Sequence, residues 1–160
     1  MKIRLAWLGR PSASPYENQV ETYRKRVARR WHAEDRPLRP ISGGRSSDPD
    51  RALRLEAEVL ERQCEAGWHI VALHERGRTR DSLDLATWLA GLENGGKPGV
   101  VFAVGSDLGL DATFVDRADE RLSLSAMTLP HLLARLLLWE QLFRSTQILG
   151  GGAYHRVSVQ

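Results

Sequence analysis

The chain has 160 residues, 42% hydrophobic and 27% charged, with a formal net charge of +3 and one cysteine. That balance excludes a disordered chain, and a chain of this length suits one domain spanning residues 1–160 with a buried core. Cys64 has no partner for an internal disulfide, no apolar run approaches the ~18 residues of a membrane helix, and the apolar stretch before Gly9 is too short for a secretory leader, so the expected location is the cytoplasm, with no membrane partner.

Lys2–Leu8 reads as a first strand, ended by Gly9, Arg10 and Pro11. Pro15 opens a helix whose apolar residues Tyr16, Val20, Tyr23, Val27 and Trp31 form one stripe. Glu34–Ile41 contains Pro37 and Pro40 and can be an edge strand at best. Ser42–Ser47 is a Gly/Ser/Arg loop. Asp48 and Pro49 are an N-cap and a first helical residue, for a helix running to about Ala66 with Gly67 behind it. Cys64 falls in that helical pattern as a small buried hydrophobe rather than a nucleophile.

Trp68–Leu73 is a short apolar strand and His74–Asp81 a charged turn around Gly77. Ser82 caps a helix to about Glu93, stopped by Asn94, Gly95 and Gly96. Val100–Val104 is a strand, Asp111 caps a short helix, and Arg121–Ser125 alternates as a strand. Pro130 opens the last helix, which runs to about Leu149. Strands alternating with helices, several of them short and wholly apolar, predict an α/β fold with a mainly parallel sheet flanked by helices.

Charge is unevenly spread, with a balance of +7 over residues 1–45 and −4 over the rest. The cluster Arg24, Lys25, Arg26, Arg29 and Arg30, followed by Arg36, Arg39 and Arg45, is a candidate surface for a phosphate backbone. A solvated helix face is the alternative.

Ligands in open α/β sheets bind beyond the carboxyl ends of the strands. Three such ends are rich in small or turn residues: Leu73–Gly77, Gly105–Gly109 and Leu124–Pro130. The middle one is neither a dinucleotide fingerprint nor a phosphate loop with its lysine. The histidines lack metal-ligand spacing, so no metal is expected, and no G-x-S-x-G marks a serine hydrolase. His131, in the first turn of the last helix, reads as structural rather than catalytic. Leu132, Leu133, Leu136, Leu137, Leu138, Trp139, Leu142 and Phe143 cover most of that helix, which points to a homodimer with the helix in its interface.

Val104–Leu110 (V-G-S-D-L-G-L), Leu122–His131 (L-S-L-S-A-M-T-L-P-H), the apolar helix and Ala153–Arg156 (A-Y-H-R), in that order, resemble the ribosomal large subunit methyltransferase H family of the SPOUT superfamily. The Lys2–Gly9 start, the helix around Tyr23 and the Ile70–Leu73 strand extend the resemblance along the whole chain. It implies a homodimeric α/β domain with a C-terminal trefoil knot, and methylation of N3 of a pseudouridine in 23S ribosomal RNA on the assembled ribosome. The methyl donor would be S-adenosyl-L-methionine, held by Leu73, Gly105, Leu124, Ser125, Ala126, Met127, Thr128 and Leu129. From these matches we expect His155 to accept or relay the N3 proton, Arg156 to hold phosphate or the developing charge, and Tyr154 to contact the nucleotide. The chain departs from the family pattern at Ser106, Leu108 and Ala153 and in its extension Val157–Gln160. Those departures keep open a knotted RNA methyltransferase with another target, or an RNA-binding homologue without catalysis.

Overall fold

The fold is built on a central strand buried on both faces. In the computed structural model, which describes residues 1–41 and 48–152, β1 (Lys2–Leu8) is buried from Ile3 onward. It pairs in parallel with β2 (His32–Leu38) on one side and β4 (Gly99–Val104) on the other. Beyond β4 lie β3 (His69–Thr79) and β5 (Glu120–Ser123), giving the order β2-β1-β4-β3-β5 with every pairing parallel. The expected Ser42–Ser47 loop with Arg45, and the tail residues Ala153, Tyr154, His155, Arg156 and Val157–Gln160, lie outside the described residues.

Side-chain alternation sorts the core into two layers. Ile3, Leu5, Trp7, Val100, Phe102 and Val104 face one side and pack with α1 (Glu17–Val27), α3 (Ser82–Asn94) and α5 (His131–Leu149). Ala6, Leu8, Val101 and Ala103 face the other side, under α2 (Pro49–Glu61) and α4 (Ala112–Arg117). Helix α5 packs against both α1 and α3. Its residues Ala134, Leu138, Trp139, Leu142 and Phe143 are buried within the chain itself.

Caps follow the chain's chemistry. The Asp48 carboxylate accepts from the Arg51 amide, and the Asp111 carboxylate from those of Thr113 and Phe114. The cap of α3 is Asp81, which accepts from the Asp84 amide; Ser82 is already the first helical residue.

Three elements differ from expectation. Strand β3 continues through His74–Thr79, where a turn was expected, shifting register so that Leu73 and Arg78 both face Leu122. Gly77 allows this, because a Cβ there would meet the Arg121 and Leu122 backbone at 2.7 Å. Helix α2 ends at Glu61 rather than near Ala66. The chain leaves the helix where Arg4, buried between the layers, takes the Gln63 carbonyl at 2.8 Å and the Glu65 carboxylate at 2.6 Å. Helix α1 ends at Val27, and Trp31 is buried from the turn beyond it, its indole N–H donating to Glu93. Cys64 is half-buried, and burial pushes its thiol up to about 11, which leaves it unreactive near neutral pH.

Candidate active site

At the carboxyl edge of the sheet, the chain leaves β4 and β5 beside the register shift in β3. These segments surround a cavity of about 650 Å³, lined by Leu73, His74 and Glu75, by Val104–Leu110, by Leu122–Ser125, and by Met127–His131 with Ala134. That size suits a nucleoside-bearing cofactor. Of the eight residues proposed from sequence to hold the methyl donor, Leu73, Gly105, Leu124, Ser125, Met127, Thr128 and Leu129 line it. Ala126 is exposed in the same loop without joining the lining.

The middle wall is a tight turn. The Gly109 amide donates to the Ser106 carbonyl at 2.9 Å, and Gly109 has φ +83°. Gly105 lies so close that a Cβ on it would overlap the Gly109 carbonyl. The loop after β5 is held from within, the Ser123 hydroxyl donating to the Ser125 carbonyl and the Ser125 hydroxyl accepting from the Met127 amide, both at 2.9 Å. Its backbone is therefore pinned while Met127 projects outward, 77% exposed. Leu108 is also exposed at the rim. Both side chains line the cavity.

These surroundings fit S-adenosylmethionine. Leu73, Val104, Leu122 and Leu124 supply apolar walls for a base. The Glu75 and Asp107 carboxylates stand at the mouth of a cavity whose ligand would carry a sulfonium charge.

Ser106 is engaged in holding the loop. Its hydroxyl donates to Glu56 Oε2 at 2.8 Å and accepts from the Leu108 amide at 3.3 Å. Glu56 is buried and its other oxygen accepts from the Ile41 amide at 3.0 Å. One carboxylate of α2 thus joins the cofactor-side turn to the segment after β2. Sequence reading missed Glu56, which lies fifty residues from Ser106 and looks like an ordinary helical glutamate.

His131 borders the same cavity. The ring Nδ1 lies 2.9 Å from Asp107 Oδ1, across the cavity mouth.

The basic cluster of α1 lies elsewhere. Helix α1 runs back from the carboxyl edge, so Arg24, Lys25, Arg26, Arg29 and Arg30 gather near the start of β2, at the opposite edge from the cavity. Arg24 is bound to Glu21 and to the Ala33 carbonyl. Its hydrogen bond lowers the Glu21 carboxyl to about 2. Lys25 lies 3.4 Å from the same Glu21, and Arg30 pairs with Glu93. Arg26 lies over the Phe143 ring. Among the described residues, no trio of His, Cys, Asp or Glu is placed to hold a metal, and no helix is long and apolar enough to cross a membrane.

Comparison with known proteins agrees with this geometry. Residues 1–155 match a family model described as a predicted SPOUT methyltransferase. The chain is 37% identical over 159 residues to the ribosomal RNA large subunit methyltransferase H of Mesorhizobium japonicum, covering 98% of this chain and 99% of that protein. Identity to the protein of the same name from Sinorhizobium fredii is 38% over 159 residues, with 98% and 99% covered. Among solved structures, a probable methyltransferase from Bordetella pertussis Tohama I superposes with a TM-score of 0.53 at 17% identity, covering 90% of this chain and 95% of that one. At that identity the likeness speaks for the fold alone.

Proposed function

The chain belongs to the ribosomal RNA large subunit methyltransferase H family of the SPOUT methyltransferases, and with that membership as premise we propose that it methylates N3 of a pseudouridine in 23S ribosomal RNA on the assembled ribosome. The observation that carries this reading is the convergence of Leu73, Gly105 and the Leu124–Leu129 loop on one cavity.

S-adenosylmethionine supplies an electrophilic methyl group. The chain's task is then positional: to hold acceptor and donor in line and keep water from between them. Leu73, Met127 and Leu129 would flank the base of the donor, and the pinned amides and carbonyls of the Gly105 and Ser125 turns would read its polar edge. The acceptor imide must lose a proton. His155 is proposed to take it or relay it, with Arg156 holding the developing charge or a phosphate and Tyr154 against the nucleotide. The reading includes the trefoil knot, a cytoplasmic location, and RNA contact by Arg24, Lys25, Arg26, Arg29 and Arg30. Such a contact at the far edge of the sheet requires an RNA footprint wider than the cavity, which a ribosome provides.

A homodimer is part of the same reading. Leu133 and Leu137, one turn apart on α5, are only partly buried and stand outside both core clusters. A second copy packed there would cover them. Light scattering at micromolar concentration should give twice the 18.0 kDa of the chain, and a monomer would remove the dimer from the proposal.

The departures at Ser106 and Leu108 do not favour a different acceptor. The Ser106 hydroxyl is engaged with Glu56, and the turn to Gly109 stays closed. The test is transfer of labelled methyl from S-adenosylmethionine to ribosomes that lack the modification, with the product nucleoside identified by mass spectrometry. The expected product is N3-methylpseudouridine, and His155→Ala should lower turnover while leaving cofactor affinity unchanged. Label on another nucleotide would indicate a shifted target, and cofactor binding without transfer to RNA would indicate a binding protein.

A further inference from the structure

A second cavity, of about 410 Å³, adjoins the first. Ser106, Asp107 and His131 line both and form the wall between them. Its other walls come from the end of β1 (Leu8, Gly9, Arg10), from Ala13, and from Arg39, Pro40 and Ile41 after β2.

Its chemistry differs from that of the cofactor cavity. Arg10 and Arg39 are exposed, and neither side chain has an ion pair or hydrogen bond among the described residues. Most other arginines in the described residues are engaged: Arg4, Arg24, Arg30, Arg80 and Arg135 all hold carboxylates. The one carboxylate in this lining, Asp107, lies against His131. Ile41, half exposed, adds an apolar surface.

The two sides of the cavity are also fixed relative to each other. Buried Glu56 receives the Ile41 amide from one rim and the Ser106 hydroxyl from the other. Two guanidiniums unpaired among the described residues, beside an apolar contact on a braced frame, suit an anion attached to a sugar or base.

We propose that this second cavity seats the RNA strand next to the nucleotide being methylated, with Arg10 and Arg39 on a phosphodiester and Ile41 against the adjoining sugar or base. The inference rests on the RNA-methyltransferase reading and names where the substrate lies in it. The shared wall then holds the acceptor strand beside the methyl donor, and Glu56, which touches neither ligand, is a positioning residue.

The experiment compares wild type with R10A/R39A and R10K/R39K, measuring cofactor affinity by calorimetry and KM for unmodified ribosomes over a range of salt. In R10A/R39A, KM should rise on the order of 10- to 100-fold, and the slope of log affinity against log salt should lessen by about 0.7 to 0.9 per arginine removed. R10K/R39K keeps the charge and should retain most of the affinity. Cofactor affinity should stay within about twofold in both, since backbone and apolar walls hold the donor. Unchanged KM and salt slope in R10A/R39A would overturn the proposal. Loss of cofactor binding would also overturn it, by assigning the arginines to the carboxylate of the donor. Failure of wild type to methylate ribosomes would remove the proposed function itself, an outcome distinct from either. The same salt titration of K25E/R29E measures the α1 cluster separately.

Discussion

Gly105→Ala is expected to weaken S-adenosylmethionine binding by at least about 100-fold, close to 2.7 kcal/mol, while leaving the sheet folded. The cause is local. A methyl group at that position would overlap the carbonyl carbon and oxygen of Gly109 and lie 3.0 Å from its Cα. Every one of those atoms is backbone, so no side chain can swing aside. Relief requires opening the turn that the Gly109 amide and Ser106 carbonyl close. Opening it moves the wall formed by Gly105–Leu110, and a pocket that reads its ligand with backbone groups has no other means of adjusting. The overpacking itself should cost about 1–3 kcal/mol of stability. Gly91→Ala is the matching control: it lies in α3 with nothing within 4 Å of the added carbon, and it should be neutral or stabilising. Calorimetric titration of both variants decides the matter. Cofactor affinity in Gly105→Ala within about threefold of wild type would mean that the turn does not shape the donor site.

The elements most readable in the sequence were those whose burial or capping is local. β1 and β4 are apolar because helices cover both faces, and Asp48, Asp111 and Pro130 mark helix starts by their own hydrogen bonding or fixed dihedral angle. Pro37 marked β2 as an edge strand, and β2 lies at the end of the sheet. The missed half of β3 has a different cause. Pairing with β4 stops at Ala72, so His74–Thr79 runs on beside β5 alone and remains largely exposed. A strand without a buried face carries no apolar alternation. The early end of α2 was unreadable for another reason, because the Gln63 carbonyl just past the helix accepts from Arg4, 59 residues away. Likewise, the three segments that form the cavity could be named one by one, although the first is a register shift within β3 rather than a strand end, whereas the second cavity needs Arg10, Arg39 and Asp107 from three separate crossings of the carboxyl edge.

The largest loss of stability is expected from Arg135→Met. Arg135 is 1% exposed inside the layer formed by α1, α5 and the sheet. Its guanidinium is bidentate to Asp35 at 3.1 and 2.7 Å and bidentate to Glu17 at 2.7 and 3.0 Å, and it lies 4.1 Å over the Trp7 ring. Asp35 also receives the indole N–H groups of Trp7 and Trp139, at 3.0 and 2.8 Å. The group therefore joins β1, β2, α1 and α5 through one cation. A pair of buried charges adds little against an apolar replacement of both, because desolvation offsets their attraction. Removal of one member is a different case, since it strands the other charge. Methionine fills much of the space of the arginine stem, so the cavity term is small and the stranded Asp35 carboxylate dominates. A loss of about 3–5 kcal/mol is expected, read as a fall in the urea midpoint. Glu17 is more exposed than Asp35 and recovers solvation, so Glu17→Gln should cost less. The decisive variant is Arg135→Met combined with Asp35→Asn, which removes both charges and keeps an acceptor for one of the two indoles, since Trp7 and Trp139 bond different oxygens of Asp35. If stranded charge is the cause, the double variant is more stable than Arg135→Met alone. Additive losses in that cycle would instead assign the cost to packing against Trp7 and Trp139.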